Sequence, residues 1–101
     1  MELSTFIEPQ EQRFPTGHLV ATHSVNELAR QGRLDPARYL ARHLTADWGD
    51  LSDDDWAAND RALRTGEDRL LSSYQIAPDL TLWIITEWDR TVTTLLVPSD
   101  Y

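Results

Sequence analysis

The chain has 101 residues, no cysteine and no lysine, and its seventeen carboxylates outnumber nine arginines for a formal net charge of −8. That length supports a single core. The lack of cysteine excludes disulfide frameworks, thiolate zinc sites and cysteine nucleophiles, and the acidity excludes direct contact with a phosphate backbone unless a local basic patch exists; none is visible. A hydrophobic content of 41% and a charged content of 26% are ordinary for a globular protein. No apolar run approaches the roughly 20 residues of a membrane span, and the N-terminus lacks the basic and apolar regions of a signal peptide, so the cytoplasm is the expected compartment and a membrane contact is not expected.

Residues 1–17 are polar and carry Pro9 and Pro15, which reads as a loosely ordered N-terminal arm preceding one α+β domain over 18–101. Phe6, Ile7 and Phe14 are the arm's docking side chains. His18 to Thr22, HLVAT, is a short strand. Ser24 and Glu27 have capping-box spacing and predict a helix that turns Val25, Leu28 and Ala29 inward and stops at Gly32. Asp35 as cap and Pro36 at the first helical position predict a second helix to about Thr45, with Ala37, Leu40, Ala41 and Leu44 as its apolar stripe. Ser52 caps a third helix whose first turn holds Asp53, Asp54 and Asp55, where the dipole favours negative charge. Trp56, Ala57 and Leu63 form its inner face, Asp60 and Arg64 an i, i+4 pair, and Gly66 its terminator.

After Gly66 the period changes. RLLSSYQIA, TLWIITEW and TVTTLLV read as a three-stranded antiparallel β-meander, with TLWIITEW apolar on both faces and therefore central, and Pro98 closing the last strand. The expected architecture is α+β: a short N-terminal strand, three helices, then the meander with the helices packed on it.

The stretch DWGDLSDDDWAAND, from Asp47 to Asp60, holds six carboxylates and two tryptophans without a basic residue. Helix chemistry accounts for Asp53, Asp54, Asp55 and Asp60. Asp47 and Asp50 are left over, so an acidic docking face is drawn through Asp47, Trp48, Asp50, Asp53, Asp54 and Asp55, the Trp48 ring also serving as a plug between helices two and three. His43, Asp47 and Asp50 are the weaker candidates for metal ligands, since His43 and Asp47 share a helix face if the helix extends that far. No phosphate loop, GxSxG or HExxH motif is present, no cofactor is implied, and Ser72 and Ser73 read as solvent-facing strand hydroxyls. Trp83 and Trp88 fall on opposite faces of the central strand, which makes one of them a docking or homodimer contact.

The elements HLTADWGDL (43–51), RLLSSY (69–74), LWIITEWDR (82–90) and TTLLVPSDY (93–101) resemble small plasmid-related proteins of bacteria, carried on plasmids and integrative elements; the likeness spans residues 17–101. It implies a mobile-element setting, in which small acidic proteins inhibit host defence by occupying nucleic-acid grooves. The expectation is a non-enzymatic binding protein, an inhibitor or accessory factor acting on a protein partner that itself binds nucleic acid. The alternative is a small metal-dependent enzyme or toxin using His43, Asp47 and Asp50.

Overall fold

A computed structural model describes residues 12–101. The elements in chain order are β1 (His18–Ala21), α1 (His23–Arg30), α2 (Pro36–Leu44), α3 (Asp53–Thr65), β2 (Leu70–Ala77), β3 (Leu80–Thr86) and β4 (Val92–Leu96), followed by a 3-10 turn at Pro98–Asp100. The α+β class and the three helices match the sequence reading. The sheet corrects it: β1 is no separate piece but the fourth strand, in the order β1-β4-β3-β2, and it runs parallel to β4. The helical excursion from β1 to the later strands forms the long crossover that a parallel neighbour requires. β2, β3 and β4 form the expected antiparallel meander, with β3 interior.

Gly17 sets the entry into β1. It has φ +63° and lies so close to Thr91 that an added Cβ would sit 2.3 Å from that residue's backbone, which only glycine tolerates. Of the segment read as an arm, residues 12–17 pack on the body: Arg13 N donates to Leu44 O and Phe14 is buried. Phe6 and Ile7 lie outside the described residues.

Several local expectations are corrected. Thr22, not Ser24, caps α1 by accepting from Val25 N, while the Ser24 hydroxyl donates to Asp100 across the fold. Asp35 makes no cap bond, and Pro36 alone marks the start of α2. Ala37 and Ala41 are exposed; α2 turns Tyr39, Leu40, His43 and Leu44 inward, with His43 fully buried. The larger side chains win the core-facing side because they remove more apolar area from water. α3 begins at Asp53 under the Ser52 cap and ends at left-handed Gly66 as read, but Ala57 is exposed and Asn59 and Ala62 are the buried positions.

The core has two parts. Val25, Leu34, Tyr74, Leu82, Ile84, Leu95 and Val97 fill the space between the sheet and α1 with α2. Phe14, Trp48, Ala62 and Leu70 form the second, under α3 and the α2–α3 connection. Trp88 lies beyond β3 in the hairpin turn, 61% exposed, so it does not take a face of the strand.

Candidate functional site

The α2–α3 connection, where the sequence concentrates carboxylates, lies along the outer edge of β2. α2 ends with Ala46 left-handed, and Ala46 N and Asp47 N donate back to His43 O and Arg42 O, which turns the chain sharply. The turn aims the Asp47 carboxylate at Arg42: Nε donates to Oδ2 at 2.7 Å and Nη2 to Oδ1 at 3.3 Å. That guanidinium, helped by Gly49 N–H, holds the carboxyl below its ordinary range, and it rests 4.7 Å from the centroid of the Tyr74 ring. Tyr74 in turn donates its hydroxyl to Asp47 O at 2.6 Å.

From Trp48 to Asp50 the backbone runs beside β2 as a short parallel bridge. Ser73 N donates to Trp48 O, Asp50 N donates to Ser73 O at 2.6 Å, and Asp50 Oδ2 accepts from Gln75 N at 2.8 Å. One step further along the edge the Asn59 carboxamide bonds both backbone groups of Leu71. An edge strand that would present a row of open donors and acceptors is closed residue by residue. Asp47 and Asp50, which helix capping does not explain, therefore both serve as acceptors within the fold.

Trp48 does not belong to a docking surface. It is fully buried, stacked on Phe14 at 6.1 Å, with Nε1 donating to Asp60 Oδ1 at 2.9 Å. Asp60 thus serves Trp48, and no Asp60–Arg64 pair forms among the described ion pairs. Asp50, Asp53, Asp54 and Asp55 are exposed.

The proposed ligand set is not assembled. His43 points away from Asp47 and Asp50 into the core, and no group of three metal-binding side chains occurs among the described residues. Its Nδ1 lies 2.6 Å from Ser72 Oγ and its Nε2 lies 2.9 Å from Thr86 Oγ1. Thr86 Oγ1 is 2.7 Å from Thr93 Oγ1, which donates to Thr16 O at 2.7 Å. This chain has one consistent proton arrangement. Thr93 spends its only hydrogen on the Thr16 carbonyl, so Thr86 donates to Thr93 and must accept from His43 Nε2–H; Nδ1 then accepts from Ser72. Every member is satisfied, and the imidazole is neutral. Burial, reinforced by the charge of Arg90, pushes its pKa down to about 3.

A hydroxyl 2.6 Å from an imidazole nitrogen is the geometry of a nucleophile and its base. Here both residues are fully buried, so the Ser72 oxygen is closed off from solvent, and an imidazole whose pKa is pushed down to about 3 is too weak a base to take the hydroxyl proton near neutral pH. The arrangement ties three strands, α2 and residue 16 together. It also corrects the reading of Ser72 as solvent-facing, although Ser73, on the other face, is partly exposed.

The sequence reading missed Ser72, Thr86, Thr93 and Asn59. A signal existed for three of them: each falls in phase with buried apolar residues of its own strand, beside Leu70 and Tyr74, Ile84, and Leu95, so the alternation places a hydroxyl on the core face of three adjacent strands. Arg90, a turn residue by sequence, has a larger part in the fold. With φ +60° it directs its guanidinium onto the carbonyls of Ala62, Asp68, Glu87 and Trp88, joining the end of α3 to the β3–β4 turn.

One open surface depression, about 490 Å³, is lined by Arg13, Asp60, Leu63 and Arg64. Among the described residues no helix is long and apolar enough to cross a membrane. No protein-family model, no curated protein and no solved structure matches the chain.

Proposed function

We propose that the protein is a small acidic, non-enzymatic binding protein of a mobile genetic element, an inhibitor or accessory factor that docks on a protein whose own surface is basic enough to hold nucleic acid. One observation carries the reading: the division of chemistry between inside and outside. The groups able to pass a proton, His43, Ser72, Thr86 and Thr93, are enclosed and bonded to one another. Asp50, Asp53, Asp54 and Asp55 are exposed on a stretch with no arginine between Arg42 and Arg61. A concentrated negative field of that kind draws a basic partner and accelerates encounter. Because Asp47 and Asp50 also serve the fold, the charge free to act on a partner lies mainly in Asp53, Asp54 and Asp55.

The triple change Asp53→Asn, Asp54→Asn, Asp55→Asn tests this, since asparagine keeps the shape of each side chain. A partner retained by the native protein should associate more slowly with the variant, with a flatter dependence on salt, while circular dichroism stays native. Unchanged association by a folded triple variant would remove the acidic face from the proposal.

A further inference from the structure

The two edges of the sheet are treated differently. The β2 edge is closed by Asn59, Trp48 and Asp50, as described above. At the other edge, His18 N donates to Thr91 O and Thr22 N to Leu95 O, which fixes the phase of β1: its even-numbered residues bond β4. Leu19 and Ala21 therefore present their N–H and C=O groups outward, and no described residue bonds them. Leu19 and Val20, on opposite faces, are 48% and 38% exposed. Open backbone groups between exposed apolar side chains form a template for one more strand.

Charge selects the occupant. Two copies carrying −8 each repel over most of their surfaces. The run from Gln12 to Asn26 contains no carboxylate. Asp100, which reaches this region from the C-terminal turn, is occupied by the Thr22 and Ser24 hydroxyls and by Val97 N–H. Among the described residues β1 is thus a gap in the acid cover where a second copy can approach.

The strand is also complementary to itself. When two copies of β1 run antiparallel with Leu19 opposite Ala21, both outward-facing residues become hydrogen-bonded pairs, and Val20 meets Val20 of the other copy as the close pair, with Cα atoms about 4.5 Å apart. That register obeys a two-fold axis. We infer that the protein forms a homodimer by antiparallel pairing of β1, with Val20 on the axis, making one continuous sheet across both copies.

The absence of cysteine makes the test direct. Val20→Cys places two thiols at a spacing a disulfide can span, whereas His18→Cys, on the same face, leaves them more than about 13 Å apart along the strand. The Val20→Cys chain should cross-link to a dimer under mild oxidation well ahead of His18→Cys; equal rates overturn the inference. Sedimentation of the unmodified chain should show a monomer–dimer equilibrium that Val20→Glu shifts to monomer. A chain monomeric up to its solubility limit overturns the proposal and leaves the edge to an extended segment of another protein. A dimer indifferent to Val20→Glu overturns it as well. Should Val20→Glu fail to fold, the cysteine pair still decides.

Discussion

The Asn59 side chain exchanges two hydrogen bonds with the backbone of Leu71: Nδ2 donates to Leu71 O at 2.6 Å, and Oδ1 accepts from Leu71 N at 3.2 Å. α3 thereby attaches to β2 much as another strand would. Asn59→Leu, similar in volume, leaves both backbone groups without partners at a buried position and is expected to cost about 2 to 3 kcal/mol. Chemical denaturation checks this, and an unchanged midpoint would mean that the edge does not depend on the amide. The variant should also aggregate more readily, because the edge is reopened.

Gly49 offers a sharper test of the same edge. With φ +82° and an added Cβ only 2.2 Å from Ser73 O, alanine cannot be accommodated unless the backbone moves off β2. Gly49→Ala is expected to destabilise by more than about 2 kcal/mol. Amide exchange at Ser73 and Gln75 should quicken most, since their N–H groups bond Trp48 O and Asp50 Oδ2.

His43 predicts a pH dependence. Its pKa in the folded protein is about 3 against an ordinary 6.5, so between those values the unfolded chain takes up a proton that the native imidazole refuses. Stability contributed by this group is complete above pH 6.5 and is lost as pH falls through that window, with a slope approaching about 1.4 kcal/mol per pH unit. Asp47, Asp89 and Asp100 are held low by their partners and start from an ordinary 3.8, so their loss begins at more acid pH; exposed Glu27, held low by Arg30, starts from 4.5 and adds only at the acid end of that window. Urea denaturation from pH 6.5 down to about 4.5 therefore reads mainly His43. The slope should be absent in His43→Gln, and a wild-type curve flat over that range would contradict the sealed imidazole. Thr86→Val, which keeps the side-chain shape but strands His43 Nε2–H, is expected to cost about 1 to 3 kcal/mol.

The double change Asp47→Asn, Asp50→Asn bears on fold and function together. The Arg42–Asp47 pair leaves both side chains about two-fifths exposed, at 41% and 42%, so solvent screening keeps its share small. Losing it together with the charge on the Gln75 N–H acceptor should lower stability by about 1 to 2 kcal/mol. Thermal melting and partner association, measured on the one protein, separate structural acceptors from a docking face: lower stability with unaltered association kinetics assigns both residues to the fold alone.

Features confined to a few consecutive residues were legible in the sequence. Ser52 with the three aspartates behind it, Pro36, Gly66 and the three runs after it mark α3, α2 and the meander, because a cap or a turn is a bond between residues two to four positions apart. Tertiary structure alone decided that β1 joins β4 in parallel, more than seventy residues along the chain, because alternation marks a strand without marking its neighbour. It likewise decided the fate of the polar residues. Asp50 and Asn59 look like surface or helix residues until β2 supplies the backbone groups they bond, and His43 looks like a ligand until Ser72 and Thr86 enclose it. A buried polar side chain is stable only when its partners are in place, and those partners come from distant elements that local sequence does not bring together.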